Sequence, residues 1–404
     1  MLNNLPPELL VNVLSRLPLK NIGQCTCVSK SWESLITSPT FITTHLSLSL
    51  ENSSNNPPLV ILRRWSDKNG VGSPKKEHYS LHFDSESFPK YQDLYFPFQS
   101  LNFHLRIVGS CNGVVCLSDN IGIYTCTFIL WNPSINKYLF LPSPIVTYTT
   151  NGPSKFSIGL GFGFDSCSND YKVVRLSFID NDCGIYKAPP IVEVYSLNTG
   201  FWRIISAKAP SLEISGLHYT QAFVHGAVHW LGTRMNKKGF SNVTLLFDMG
   251  NEAIRTMKLP DSLLATSSMC LSIAVFGGSL SVLCIDNYMW GVEACSIWVM
   301  QEYGNAESWT KQYNVIWGLK PGKVIGLRAN DDLLLALKNG SFSLETELIS
   351  YNHKSQEINS LGIHGKGYSY YVDNYTESLV LLKEGKGCMK VEDGIENAEI
   401  GIKK

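Results

Sequence analysis

Few residues in this sequence have types and spacing that could do chemistry. His225 and His229 stand four apart, a spacing that binds metal when both fall on one face of a helix. Here they straddle a His-Gly turn and the apolar run Ala227-Val228-His229-Trp230-Leu231, and no Glu follows where a zinc peptidase needs one. Structural histidines flanking a turn fit that pattern better. Cys25 and Cys27 form a lone CxC without a second pair at zinc spacing. Cys111 and Cys116 flank Asn112-Gly113 and could approach across a hairpin. Gly159-x-Gly161-x-Gly163 looks like part of a phosphate loop, but it alternates with Leu160, Phe162 and Phe164 and leads into a turn. The helix N-terminus that would supply anion-binding amides is missing. Nucleophile elbows, Walker motifs and convincing carboxylate pairs are absent. The expectation is a chain with no catalytic residue, no metal centre and no cofactor.

Composition narrows the class further. The 404 residues carry 34 Lys plus Arg against 34 Asp plus Glu, with 44% hydrophobic, 11% aromatic and 17% charged. That is too apolar for a disordered chain. It is also too balanced for general affinity to nucleic acid or an anionic membrane, which needs a basic face. Apolar runs such as Phe128 to Trp131 and Leu333 to Leu337 fall far short of the roughly 18 residues of a membrane-spanning helix. The amino terminus carries Glu8 and no basic run, unlike a secretory signal. The eleven cysteines are therefore expected as buried free thiols in a reducing compartment, cytoplasm or nucleus.

Helical periodicity is confined to the first fifty or so residues. Pro6 and Pro7 suit a helix's first turn, and Leu9, Leu10, Val13, Leu14 and Leu17 repeat at three and four up to Pro18. A second helix is expected from Lys20 to about Thr26, with Gly23 inside it. A third, capped by Ser29, places Val28, Trp32, Leu35 and Ile36 on one face before Pro39 stops it. Three helices in forty residues bury little surface alone.

These residues, Leu5-Pro6-x-Glu8-Leu9, Val13-Leu14-x-Arg16-Leu17-Pro18-Leu19-Lys20, Cys27-Val28-Ser29-Lys30-Ser31-Trp32-x-x-Leu35-Ile36 and Pro39-x-Phe41, closely resemble the F-box motif as plants write it. The resemblance implies docking on the Skp adaptor of a cullin-RING ubiquitin ligase. It also implies that Leu5, Pro6, Leu9, Val13, Leu14, Leu17, Pro18, Val28, Trp32 and Leu35 divide between adaptor contact and the motif's own core. Gly23 and Cys25 depart from the family, which usually has a large aliphatic and often an aromatic residue there.

Leu50 to Pro58 contains the polar run ENSSNNPP and reads as a boundary, giving an F-box at 1–48 and a linker at 49–58. Beyond it, tight-turn pairs recur at Asn112-Gly113, Asn169-Asp170, His225-Gly226, Gly277-Gly278 and Asp331-Asp332, spaced by 57, 56, 52 and 54 residues. A second set follows at Ile135-Asn136, Asn198-Thr199, Gly250-Asn251, Gly304-Asn305 and Asn352-His353. An apolar strand lies between the two turns of each unit, so each unit is two hairpins forming a four-stranded antiparallel sheet. Such sheets must stack on neighbours, and closing the stack removes exposed edges. The expected fold is a small all-α three-helix unit followed by an all-β six-bladed β-propeller-like ring over 59–385, with a tail at 386–404. The last blade is expected to be shared by both chain ends: one hairpin from Leu59–Arg63 and Tyr79–Phe83, the other from Tyr368–Val372 and Ser378–Leu382 turning at Asp373-Asn374.

This stretch resembles the F-box-associated domain of a large plant family. The residues that carry it are Gly109-Ser110-Cys111-Asn112-Gly113, Trp131-Asn132-Pro133-Ser134, Gly161-Phe162-Gly163-Phe164-Asp165, Asp170-Tyr171-Lys172-Val173-Val174-Arg175, Val194-Tyr195-Ser196-Leu197 and Gly226-Ala227-Val228-His229-Trp230-Leu231. Some members are described as kelch-like; this chain has one double glycine in that manner, Gly277-Gly278. S-locus and immune-regulatory F-box proteins are of the same type.

Without catalysis, function must be recognition, and loops on a rigid scaffold are its usual place. Four connections are long and individual: Val146 to Lys155, Asp180 to Pro190, Thr233 to Ser241 and Asp286 to Glu293. They carry Tyr148, Tyr186, Phe240, Tyr288 and Trp290, the kind of aromatic that anchors protein interfaces. Arg63, Arg64, Lys68, Lys75 and Lys76 read as a solvated loop of the first hairpin. The expected role is the substrate-recognition subunit of an SCF-type ubiquitin ligase. Its partners would be a Skp-type adaptor, through it cullin and RING subunits, and a target protein. A propeller binding carbohydrate or a small molecule beneath a non-functional helical cap is the alternative.

Overall fold

The computed structural model describes residues 6–381 apart from 53–56, 68–74, 96–104, 120–126, 147–155, 180–188, 207–208, 216–220, 237–238, 287–293, 317–321, 339, 341–344 and 367–368. Its amino-terminal head is α1 (Pro7–Leu14), α2 (Leu19–Cys25), α3 (Lys30–Ile36) and α4 (Pro39–Asn52). The Ser29 hydroxyl accepts the Trp32 N–H at 3.2 Å and so caps α3. The expected count of three helices is one short. Pro39 does not merely follow α3; it opens α4, where a missing N–H costs nothing, and Ser38 Oγ caps the new helix by accepting the Phe41 N–H at 3.3 Å. Running to Asn52, α4 occupies the first part of the stretch read as a linker.

Six antiparallel sheets follow. Blade one comprises Leu59–Asp67, Lys75–Phe83 and Lys90–Leu94 together with Tyr371–Tyr375 from the far end of the chain. Blade two is Arg106–Cys111, Val114–Ser118, Phe128–Asn132 and Lys137–Phe140; blade three is Phe156–Asp165, Asp170–Ile179, Ile191–Ser196 and Phe201–Ile205. Blade four has two short segments, Glu213–Ser215 and Ala222–Val224, sharing the innermost place beside Ala227–Asn236, then Gly239–Asp248 and Ala253–Met257. Blade five is Leu271–Phe276, Ser279–Asp286, Ala294–Met300 and Trp309–Ile316; blade six is Gly322–Leu327, Leu333–Lys338, Glu345–Tyr351 and Ile358–Lys366. Both sets of tight turns fall where the repeat places them. Asn112, Asn136, Asn169, His225, Asp331 and the Gly277-Gly278 pair take positive φ there, the conformation that Asn, Asp and Gly tolerate best.

Blade one corrects the expected pairing of two hairpins. Residues 371–375 pass straight through Asp373-Asn374 as one strand paired with Leu59–Arg63, and residues 376–381 form no strand. The split is three strands and one. The basic cluster is corrected too: Arg63 and Arg64 lie on the first strand and Lys75 and Lys76 on the second, while Lys68 is outside the described residues. Arg63 is buried, donating to Glu77 Oε1 at 2.9 Å, to the Leu105 carbonyl at 2.6 Å and to the Ser369 carbonyl at 3.3 Å.

Each neighbouring pair of blades encloses its own apolar core. Gly161 and Gly163 show how closely the blades fit. A Cβ on Gly161 would come 2.6 Å from the Trp230 ring, and one on Gly163 would come 2.4 Å from the Phe223 ring. Trp230 is fully buried there and donates its indole N–H to the Leu160 carbonyl at 2.7 Å. The Gly-x-Gly-x-Gly run is therefore the seat for blade four on blade three, with no anion-binding geometry. Buried charges are paired, as in Lys172 with Asp165 of its own blade and Glu252 of blade four, and Arg328 with Asp84 across blades six and one.

Candidate functional site

The head divides its apolar residues between two environments. Leu14, Leu19, Ile22, Trp32, Ile36 and Phe41 form its core, with Leu17, Cys25 and Leu35 half-buried against them. Leu9, Val13 and Val28 point outward, 53%, 54% and 61% exposed, and Pro6 and Pro18 are exposed beside them in sequence. Leu9 and Val13, one helical turn apart, share a face of α1 that, among the described residues, takes no part in the head's core. Of the ten residues singled out in the F-box, then, Leu14 and Trp32 belong to the internal core, and Pro6, Leu9, Val13, Pro18 and Val28 are available to a partner. Leu5 lies outside the described residues. Gly23 is exposed with open space where a side chain would stand.

Strand direction fixes which end of the ring the head occupies. In every antiparallel blade the first–second and third–fourth turns share one end, and the second–third and inter-blade connections leave from the other. The head meets the turn end: Ile135, in the third–fourth turn of blade two, packs on its core, and α4 borders a groove against Asn169, in the first–second turn of blade three. All four long connections leave from the opposite end. Tyr148, Tyr186, Tyr288 and Trp290 lie outside the described residues. Phe240 is placed differently from expectation. It stands on the Gly239–Asp248 strand opposite Met235, 44% exposed, because the Thr233–Ser241 stretch continues a long hairpin instead of forming a loop.

At that loop end, blade three buries an ion pair. Arg175 and Glu193 face each other in register on neighbouring strands, both 0% exposed. One carboxylate oxygen accepts from Arg175 Nη1, and the other accepts the Val146 N–H at 2.9 Å. The same Nη1 donates to the Val146 carbonyl at 2.8 Å. The pair thus holds both backbone groups of the residue from which the 147–155 connection departs, standing in for a missing strand partner.

The sequence pairs suggestive of chemistry have structural roles. His229 is fully buried, its Nδ1 3.1 Å from the Ala222 carbonyl and its Nε2 2.9 Å from the Tyr303 hydroxyl. A neutral ring satisfies both contacts, donating from Nδ1 and accepting at Nε2. His225 is exposed, its ring tilted against that of Tyr303 with the centroids 4.4 Å apart. Burial pushes the His229 pKa from 6.5 down to about 4. Because the folded state holds the neutral form, its stabilisation is complete above the unfolded value of 6.5 and is lost as pH falls toward 4. The loss from this one group is about 3 kcal/mol. Denaturant unfolding between neutral pH and about pH 4 should show a stability drop that a His229→Gln variant reduces; equal pH slopes in the two proteins would count against it. Cys27 and Cys167 are exposed, which corrects the expectation that all the cysteines are buried. Among the described residues, no helix is long and apolar enough to cross a membrane.

Comparison with known proteins agrees with this architecture. Residues 2–44 match the F-box domain and residues 75–380 match the F-box associated beta propeller domain. The F-box protein At3g07870 of Arabidopsis thaliana is 27% identical, covering 90% of this chain and 88% of its own length. The F-box protein CPR1 of the same plant is 26% identical, covering 93% and 89%. Among solved structures, the beta-propeller domain of the Trilobed protease from Pyrococcus furiosus overlaps 81% of this chain and 95% of its own at 10% identity and a TM-score of 0.37, too loosely to bear on function. No catalytic family is indicated by the matches to the F-box and its associated domain. A helical head with an outward apolar face, set on the turn end of a six-bladed ring and matched over most of the chain, makes this protein a member of the F-box family that carries an F-box associated beta propeller domain.

Proposed function

We propose that this protein is the substrate-recognition subunit of an SCF-type ubiquitin ligase, active in the cytoplasm or nucleus and without catalytic residues of its own. The observation that carries the reading is the outward face of the head, where Leu9, Val13 and Val28 stand exposed while Leu14, Ile22, Trp32 and Ile36 turn into an internal core. That face would dock a Skp-type adaptor and, through it, cullin and RING subunits. The loop end of the ring, opposite the head, would hold a target protein, with Phe240 and the connections bearing Tyr148, Tyr186, Tyr288 and Trp290 as candidate contacts. Rate gain then comes from bringing target and ubiquitin-carrying enzyme together. The decisive experiment is co-elution of the purified full chain with a purified Skp-type adaptor. A one-to-one complex at micromolar concentration is expected, and two separate peaks would overturn the reading.

For the domain plan we propose a head ending near Asn52 and a ring beginning at Leu59, with the Tyr371–Tyr375 strand as the clasp that keeps the ring closed. Three contacts support the clasp: this strand pairs with Leu59–Arg63, it packs on the innermost strands of blades two and six, and Tyr375 donates its hydroxyl to the Gly113 carbonyl at 3.2 Å. Tyr375→Ala, removing a side chain only 4% exposed, should lower the stability of the whole ring by about 3–5 kcal/mol in one cooperative transition. A change in amide exchange confined to blade one, with an unchanged unfolding midpoint, would rule the clasp out.

A further inference from the structure

Two sequence motifs remain unused by adaptor docking or target capture: the turn Asn112-Gly113 and the run Trp131-Asn132-Pro133-Ser134. Both converge on residues 376–381, which follow the last strand. Asn132 is fully buried, and its side-chain amide donates to the Ser378 carbonyl at 2.9 Å and the Val380 carbonyl at 2.8 Å. Its Oδ1 accepts the Ser134 N–H at 3.1 Å, which fixes the amide's orientation. Gly113, at φ +78°, lies so close to this segment that a Cβ would come 2.4 Å from the Thr376 carbonyl and 2.5 Å from Ser378 Oγ. The Ser134 hydroxyl meets Tyr375 OH at 2.7 Å just before the segment begins.

Held this way, the segment reaches the head. Leu379 is 1% exposed and sits in the head's core with Leu14, Leu19, Ile22, Trp32, Ile36 and Phe41, with Ile135 alongside. Val380 and Leu381 pack with Leu46 and Ile42 of α4 against blades two and three. The head's core is thus completed by a side chain from the far end of the chain, and that side chain is carried on backbone pinned to the ring.

We propose that residues 376–381 act as a bracket that completes the adaptor-docking head and locks it to the propeller, with Leu379 and Asn132 as positioning residues. The head is then no independent module on a flexible tether. Its docking face keeps one orientation relative to the loop end, so the distance across which ubiquitin must be delivered is set by the ring. The bracket's effect on adaptor affinity rests on the reading of the head as an adaptor-docking F-box; its effect on the head's order does not.

The test uses the full chain, with two readouts on Leu379→Ala, Leu379→Met and Asn132→Ala: affinity for a purified Skp-type adaptor, and amide exchange across the head and blades three to five. Leu379→Ala removes buried contact from the core without touching an exposed head residue. It should weaken adaptor binding at least about tenfold and speed exchange in α2 to α4, while exchange in blades three to five stays as in the unaltered chain. Leu379→Met, similar in volume, should restore both readouts. Asn132→Ala, which frees the segment from the ring side, should also speed exchange in the head. Wild-type exchange in α2 to α4 in both alanine variants would overturn the bracket. If the unaltered chain fails to bind the adaptor, the adaptor reading falls and the exchange arm alone decides the bracket.

Discussion

Leu9→Asp together with Val13→Asp should abolish adaptor binding while leaving the protein as stable as the unaltered chain. Both side chains are more than half exposed on one face of α1, so neither substitution opens a cavity or buries a charge in the free protein. In a complex, that face loses its apolar contacts and two carboxylates must be desolvated, a cost with few compensating partners in an apolar interface. A weakening of at least about a hundredfold is expected, equivalent to about 3 kcal/mol. Calorimetric titration with the adaptor measures it, and a thermal melt checks that the fold is unchanged. Unchanged affinity would remove this face from the docking surface. Leu14→Asp makes an instructive contrast. At 2% exposed, Leu14 belongs to the head's internal core, so that substitution should unfold the head and confound loss of structure with loss of contact. The same holds for Trp32, at 8%.

Arg175→Leu should be among the most damaging single substitutions in the ring, costing about 3–5 kcal/mol, because it leaves the Glu193 carboxylate buried without its charge partner. It also removes the donor to the Val146 carbonyl and loosens the root of a connection at the loop end. Combining it with Glu193→Leu should recover most of the loss, since two apolar side chains of similar reach can replace a buried ion pair at little net cost. Urea unfolding of the two single variants and the double variant closes the cycle. A double variant no more stable than Arg175→Leu alone would show that the Val146 anchoring, half of which Glu193 still supplies in the single variant and all of which the double variant gives up, outweighs the unpaired charge.

Features set by neighbours a few residues apart could be read directly. Asn-Gly, Asn-Asp, His-Gly and Gly-Gly pairs mark positions where the backbone must take positive φ, so the turns and their repeat were legible, and with them the number of blades. The cap at Ser29 was legible for the same reason. α4 was not. Its sequence, Pro-Thr-Phe-Ile-Thr-Thr-His-Leu-Ser-Leu-Ser-Leu-Glu-Asn, is rich in β-branched and hydroxyl residues and shows no clear apolar stripe, and Pro39 reads equally as the end of one helix and the beginning of another. Asp373-Asn374 illustrates the converse. Both residues favour turns, yet they run straight because pairing with Leu59–Arg63 outweighs local preference. Arg63 looked like a loop cation because nothing near it in sequence discloses Glu77, Leu105 and Ser369 around its guanidinium.

Residue order and composition were enough for the F-box signature, the two-hairpin repeat and the low charged fraction, which follows from strands packed face to face between blades, where unpaired charge is costly. What had to come from the folded chain is which apolar residues of the head face outward, which end of the ring the head meets, and that Tyr371–Tyr375 pairs with Leu59–Arg63 while Leu379 sits in the head's core. The physical reason is that turns and caps are decided by local backbone energetics, whereas burial depends on every segment that comes near. At Leu379 and Asn132, those segments are separated by most of the chain.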